Sequence, residues 1–401
     1  MAIDNAGVPW GSPKLRAILA CTLVLPLGAA LLSPVLPVIR DSFALTDAHA
    51  SLLITVYFAP GIILSPVIGL LADRYGRRHV IIPSLVCFGI AGSVIVLVDH
   101  FTIVLALRFV QGTASAGVFI LTVTYISDVF DGLQRNAVLG INAAVLFSGA
   151  ALYPFLGGIL ASYEWHLPFI TYLLALPIAI YAFYQLDEPP IVKPRCGPGY
   201  LRGAAEALPR AEAGALYGSV FVLEAVAFGA VLTVLPFLLR ADLAAGPFVT
   251  GTVITVMTGT AAVCAARNGT LARSRSNHHL IALSFLCYGL GLIVIWTGHS
   301  IPVVMGGVAV FGVGVGLVLP SVDAAIGRLA PAEYRAGALS IRNATTFLGR
   351  STGPILFTSV AILTDYQTLI LVSGIGLLLV GTIAIHVTDR SPSLGDGSVP
   401  Y

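Results

Sequence analysis

The residues in this chain that could do chemistry are mostly charged groups standing inside apolar sequence. Glu224 lies eight residues into the run Leu216–Leu239, while Asp323 and Asp128 stand near the ends of two other runs. Arg108, Arg342 and Arg350 oppose them. A carboxyl held out of water takes up a proton more readily, so it can exchange one in the physiological range or hold a cation. An arginine keeps its proton and needs an anion, either a protein carboxylate or a ligand. Arg350 is thirteen residues from either end of Gly337–Leu363, about 20 Å at 1.5 Å per residue. It is the deepest formal charge in the chain.

These types and depths predict proton coupling at Glu224, with Arg108 and Asp323 in support. They predict a substrate cavity at Arg350 and Arg342, with Tyr57, Gln111, Asn142 and Asn343 as neutral polar partners. Two alternatives stay open. Glu224 can pair with Arg350 structurally, and Asp323 can pair with Arg328 five residues on. Three buried arginines against one deep glutamate argue against a purely cationic ligand.

The eight His are scattered and the five Cys have no paired spacing. H-E-x-x-H, G-x-S-x-G and GxxxxGK[ST] are missing, so the expectation is no enzyme, no metal, no cofactor and no ATP-driven step. The cysteines read as free thiols.

What must position these charges is a membrane. Of 401 residues, 57% are hydrophobic and 10% charged, with a mean hydropathy of +0.94. A water-soluble domain has about 25% charge, and a disordered chain needs charge and few apolar residues. A net charge of +2 offers nothing to nucleic acid in bulk. A span needs about 20 apolar residues, and hydrocarbon allows helices because it cannot satisfy an open peptide group.

The stretches are Leu15–Ile39, Ala50–Ala72, His79–Val98, Ile103–Ser127, Ala137–Ala161, Leu167–Leu186, Leu216–Leu239, Phe248–Ala266, Leu280–Thr297, Pro302–Ile326, Gly337–Leu363 and Thr368–Val387. They predict an all-α membrane protein of twelve transmembrane helices. The first run is too long for a signal peptide. With the N-terminus inside, 16 of the 21 Lys and Arg fall in inner segments and 2 in outer ones, the remaining 3 being Arg108, Arg342 and Arg350. That asymmetry places both termini in the cytoplasm of a cell whose plasma membrane the chain crosses.

An offset of 200 relates the halves. Gly69, Leu71 and Ala72 match Gly269, Leu271 and Ala272; His79, Ser84, Cys87 and Gly89 match His279, Ser284, Cys287 and Gly289; Arg135, Phe147, Gly149 and Pro154 match Arg335, Phe347, Gly349 and Pro354. Six crossings per copy make the repeats parallel, which is a transporter architecture with its site between the halves. The predicted organisation is a six-helix bundle over 1–186, a cytoplasmic linker over 187–213, a second bundle over 214–390 and a cytoplasmic tail over 391–401.

Between the second and third spans stands Gly69-Leu-Leu-Ala-Asp73-Arg74-Tyr-Gly76-Arg77-Arg78. Gly69 allows close helix approach, Gly76 a tight turn, and Arg77 and Arg78 can reach lipid phosphates. Asp73 can face the positive end of a neighbouring helix. The loop resembles the signature of the major facilitator superfamily. That resemblance implies a conformational latch of Gly69, Asp73, Arg74, Gly76, Arg77 and Arg78 with Asp128 at the end of the fourth span. The second copy, Gly269 to Arg275, lacks the acid.

Arg108, Gln111 and Gly112 look like a second family motif, an intramembrane Arg followed by Gln-Gly. Gly149, Tyr153, Pro154, Gly157 and Gly158 are similar to the helix-packing motif of drug/proton antiporters, with Tyr153 where that motif has Gly. The resemblance implies a secondary transporter working by alternating access, with proton-coupled efflux of lipophilic compounds as the leading expectation. Proton-coupled uptake or exchange of an organic anion or zwitterion is the alternative, and a polytopic membrane enzyme or a channel the remote ones. The expected partners are a small-molecule substrate, protons and membrane lipids, with the chain a monomer.

Overall fold

The computed structural model describes residues 8–188 and 198–390. Within them the chain is helical and has the twelve long helices that the apolar runs predict. They are α1 (Pro13–Ser42), α2 (Asp47–Tyr75), α3 (Arg77–Leu97), α4 (Phe101–Val129), α5 (Gly132–Ala161), α6 (Leu167–Gln185), α7 (Arg210–Leu243), α8 (Pro247–Ser274), α9 (Asn277–Trp296), α10 (Ile301–Leu329), α11 (Arg335–Leu363) and α12 (Tyr366–Arg390).

Eleven of these are long and apolar enough to cross a membrane by composition alone. The exception, α11, is 29 residues long but carries Arg335, Arg342 and Arg350 among several Ser and Thr. It packs against α2 and α7, so its polar groups meet protein rather than lipid. Between α6 and α7, within the stretch expected to be a linker, lies a short helix, Pro198–Glu206. Tyr200 donates to the Glu333 carbonyl at 2.8 Å, which fixes that helix to the loop before α11. The proposed tail over 391–401 lies outside the described residues.

Apolar side chains form two cores. One gathers residues of α1 to α6, with Phe237 and Phe347 inserted from the other half. The second gathers residues of α7 to α12. The offset of 200 reappears as geometry. In the first half a Cβ on Gly112 would stand 1.9 Å from the Tyr57 carbonyl oxygen; in the second, a Cβ on Gly312 would stand 2.3 Å from that of Met257. The same contact between helices therefore occurs twice, α4 on α2 and α10 on α8.

Both halves begin with an irregular helix. In α1 the α-helix gives way to 3₁₀ turns at Leu25–Gly28 and Ser33–Val35, where Pro26, Pro34 and Pro37 withhold backbone donors. In α7 a π-helical stretch covers Ala227–Val234. By contrast, α2 remains α-helical through Pro60 and Pro66. Irregular backbone at membrane depth is tolerated where protein or a cavity covers it. Ser33 of α1 does this directly, donating at 2.5 Å to the Leu232 carbonyl of α7, which Pro236 four residues on cannot serve.

The halves are tied from mid-depth to the end opposite the Arg74–Arg78 loop. Ser51 and Thr358 share a hydrogen bond of 3.0 Å, Ser351 donates to the Thr55 carbonyl at 2.9 Å, and Tyr366 donates to Asp47. Beside them α5 and α8 meet backbone to backbone, a Cβ on Gly158 falling 2.5 Å from the Pro247 oxygen and one on Gly251 2.3 Å from that of Pro154.

The glycine contacts give the first test. Gly112→Ala and Gly312→Ala must each push two helices apart. Each is expected to cost about 1–3 kcal/mol, lowering the melting temperature of the purified protein by several degrees. Gly140→Ala, with nothing within 4 Å of the new Cβ, leaves it unchanged.

Candidate functional site between the halves

At mid-depth the two halves enclose a cavity of about 200 Å³, with α1, α2, α4 and α5 on one side and α7 to α11 on the other. Its walls are largely aliphatic and aromatic. Phe58 of α2 packs edge-on against Phe228 of α7, ring centroids 5.0 Å apart, and Phe119 of α4 against Phe347 of α11 at 5.9 Å. These pairs join the halves across the cavity. Polar lining comes from hydroxyls, among them Tyr57, Ser115, Thr258 and Tyr288, and from one ion pair.

That pair is Glu224 with Arg350. The Arg350 Nε donates to Oε2 at 2.7 Å and Nη2 to Oε1 at 3.3 Å, a two-point fork. Glycines make it reachable. A Cβ on Gly349 would stand 2.8 Å from the Phe221 oxygen, and one on Gly353 2.2 Å from the Ala225 oxygen, so α11 presses onto α7 on either side of Arg350. The guanidinium also lies over two aromatic faces, 5.0 Å from the Phe228 centroid and 5.7 Å from that of Phe58. The Arg350 side chain is 21% exposed and that of Glu224 is 7% exposed. Pairing of Glu224 with Arg350 is one of the alternatives the sequence leaves open; the two touch and face one cavity.

Arg342 makes a second pair nearer the basic loop, donating from Nη2 to Asp323 Oδ2 at 2.5 Å. This corrects the expectation that Asp323 pairs with Arg328. Residues five apart on a helix point about 140° away from one another at 3.6 residues per turn, whereas α11 presents Arg342 beside α10. Arg342 and Asn343 are absent from the cavity wall.

Arg108 is fully buried within the first half, without an acid among the partners its hydrogen bonds identify. It donates to the carbonyls of Gly28 (2.5 Å) and Leu53 (3.1 Å), to Gln111 Oε1 (2.6 Å) and to the Tyr172 hydroxyl (3.4 Å). Its guanidinium lies 4.4 Å from the Tyr57 ring centroid. Four helices, α1, α2, α4 and α6, meet at this one side chain, and the Gly28 carbonyl is available because α1 leaves the α-helical pattern there. Gln111 is fully buried and outside the cavity wall, while Tyr57 lines it and donates to Ser115 at 2.6 Å. Asn142 accepts from Thr22 at 2.6 Å and ties α5 to α1; it does not line the cavity.

At the loop after α2, Gly76 has a φ of 98°, the left-handed region glycine tolerates. Arg77 Nε donates to Asp128 Oδ2 at 2.9 Å. Arg78 donates to the Phe183 carbonyl at 2.6 Å and lies over its ring, so protein rather than lipid takes that side chain. Arg74 lies over Tyr75. Gly69 and Asp73 lie in α2, but their surroundings are outside what is described.

Glu188, just past α6, accepts from the backbone N–H groups of Arg77 (2.6 Å) and Arg78 (3.0 Å). It caps the start of α3, where a carboxylate meets the positive helix end. Sequence reading missed it, since its partners are more than a hundred residues away. Tyr288 and the aromatic bridge were also missed, being ordinary apolar-run residues in sequence.

The packing motif of α5 divides its contacts. Tyr153 donates to the Leu23 carbonyl at 2.8 Å. A Cβ on Gly149 would meet Pro26, and one on Gly157 would stand 2.1 Å from the Leu31 oxygen, all on α1, whereas Gly158 and Pro154 face α8. Among the described residues no cluster of His, Cys, Asp and Glu could hold a metal ion, and Cys21, Cys87, Cys264 and Cys287 are unpaired.

Comparison with known proteins agrees with this architecture. The sequence profile of the Major Facilitator Superfamily matches residues 18–213 and 217–400. The bacillibactin exporter of Bacillus subtilis (strain 168) is 27% identical over 364 residues, covering 86% of this chain and 89% of its own. The quinolone resistance protein NorA of Staphylococcus aureus (strain MRSA252) is 32% identical over 144 residues, which span 36% of this chain and 37% of that protein. Among solved structures, a bacterial homolog of the human lysosomal transporter Spinster, inward-facing and unoccupied, superimposes with a TM-score of 0.76 at 15% identity, covering 96% of this chain and 98% of that one. The human organic anion transporter MFSD10 gives 0.70 at 20% identity, covering 93% and 99%.

Arg108 supplies the test of this geometry. Arg108→Lys keeps the charge but loses the planar fork that reaches four helices. Two or more lost charge-assisted hydrogen bonds cost about 2 kcal/mol or more. The expected result is a lower melting temperature and weaker ligand binding. An unchanged melting temperature would show that the fork does not organise the bundle.

Proposed function

The chain belongs to the Major Facilitator Superfamily, and from that premise we propose that it exports small lipophilic molecules in exchange for protons. It is a multi-pass membrane transporter rather than an enzyme, and its exporter relatives favour efflux. One observation carries the finer reading: a single ion pair, Glu224 with Arg350, stands in the wall of an otherwise uncharged cavity between the two halves. A carboxylate held there by one cation loses that partner when protonated, so its charge reports the proton supply to the cavity.

The reading assigns the basic loops and both termini to the cytoplasm of a plasma-membrane protein, on the positive-inside asymmetry. The ties at Ser51, Ser351 and Tyr366 then close the outer face, and cargo loads from the inside. The bundles proposed over 1–186 and 214–390 rock about the cavity, joined by the linker over 187–213, in a monomer surrounded by lipid. In this cycle the Arg77–Asp128 pair, with Gly69, Asp73, Arg74, Gly76 and Arg78, acts as the inner latch. Pro154 and Gly158 of α5 hold the outer seal against α8, while Tyr153, Gly149 and Gly157 fix α5 to α1. Arg342 with Asp323 is a second charge station on the route inward, and Arg108 is a frame for α1 rather than a proton carrier.

Purified protein in liposomes with an imposed pH gradient tests this. The wild type moves a lipophilic fluorescent compound against its gradient only while the pH difference lasts. Glu224→Gln, still eluting as a folded species, loses proton-driven movement by about tenfold or more, as expected when a buried charge loses its partner. Normal coupling in that variant would rule out Glu224 as the coupling group.

A further inference from the structure

We propose that the cargo of this cavity is an uncharged lipophilic molecule, and that a proton excludes it by leaving the cavity charged rather than by competing for the same atom. The inference rests on the proton-coupled export reading and names the substrate class of that site.

Among the lining residues Glu224 and Arg350 are the charged ones. The lining from α1, α5, α8 and α10 is Leu, Pro, Ala, Phe, Met, Thr and Val. The other titratable groups that face the cavity are the phenols of Tyr288 on α9 and Tyr57 on α2. Arg108 of α4 stands behind the Tyr57 ring and is sealed off. Toward the basic loop, Arg342 and Asp323 are already paired. With Glu224 ionised, the cavity therefore presents two opposite charges bound to each other and aromatic faces around them. That surface suits an uncharged aromatic molecule.

A proton on Glu224 removes one charge of this pair and leaves the other, because the guanidinium cannot lose its proton. The cavity then holds an unpaired cation, which draws in water and opposes an apolar ligand. Proton and neutral cargo exclude each other, which is what exchange requires. Charged cargo does not satisfy the same geometry. A cation would have to take Glu224 from Arg350 and strand the guanidinium. An anion would take Arg350 from Glu224 and favour a proton on Glu224, so cargo and proton would bind together. One proton entering per uncharged molecule leaving also moves one net positive charge inward, so transport responds to membrane voltage.

The test uses the full chain, purified, with three naphthalene probes of one shape: an amide, an amine and a carboxylate. The wild type binds the amide best of the three. Glu224→Gln, which carries a neutral side chain in place of the carboxylate, binds the amide about tenfold or more weakly. Adding Arg350→Gln to it removes the stranded cation and restores amide binding, without proton coupling. Tightest wild-type binding of the amine or the carboxylate overturns the proposal. A folded double variant that stays weak overturns it too. If the double variant does not fold, voltage decides: proton-driven amide flux in wild-type liposomes that ignores an imposed potential overturns the proposal. Wild-type liposomes that couple no cargo to protons would instead remove the export reading itself.

Discussion

The constraint on which the rest depends is that a guanidinium at membrane depth cannot neutralise itself. Arg350 must be paired by protein, by ligand or by water, and here Glu224 pairs it through a two-point fork. Taking two charges out of water is costly, and removing one partner costs about 3–5 kcal/mol more. The bundle is built to keep that expense in one place. Gly349 and Gly353 bring α11 onto α7, the Phe58 and Phe228 rings cover the guanidinium, and the remaining wall is uncharged.

Arg108 answers the same constraint by another route. Its partners are backbone carbonyls, an amide and a phenol, which stabilise the charge without offering a proton acceptor of carboxylate strength. Two of those carbonyls belong to helices other than its own, and one of them, Gly28, is open because α1 abandons α-helical geometry near Pro26. The irregular stretch of α1 and its arginine therefore explain each other. The break exposes acceptors, and the arginine satisfies them and fixes the shape of the cavity wall at Ala29 and Ala30.

The fold was legible because hydrophobicity is a strong, local signal. Twelve runs gave twelve helices, and residues related by the offset of 200, such as Gly112 and Gly312, make matching contacts on α2 and α8. Even the polar α11 was found, since its length and glycines outweigh its arginines. The charge of the site was legible too, as Glu224 and Arg350 are rare types in their surroundings. What sequence could not supply is azimuth, the direction a side chain takes around its helix. Asp323 was matched with the nearest Arg in sequence, but the partner lies on another helix. Gln111, Asn142 and Asn343 have the right depth and the wrong direction for the cavity. Glu188 caps α3 from beyond α6, a contact that depends wholly on tertiary packing. The π-helical stretch of α7 also left no trace, because Ala227–Val234 reads as unbroken apolar helix.

The repeat is exact enough in packing to make its departures informative. At the offset of 200, Glu224 corresponds to Val24 and Arg350 to Ala150. The ion pair of the cavity therefore draws both its members from the second half, and Ala150 and Phe58 face it from the first. Likewise Arg108 corresponds to Val308, so the buried clamp exists only in the first half. The two bundles are alike in packing and differ in charge: one holds a buried cation against its broken first helix, the other an ion pair beside its own. Ser33 crosses between those two first helices to the Leu232 carbonyl, where the matching residue, Thr233, turns back on its own helix at Phe228. The contact crosses the pseudo-axis in one direction only, so it departs from the repeat. It lies within two turns of Glu224 on α7, close enough for the charge of the pair and the packing of the first helices to act on one another.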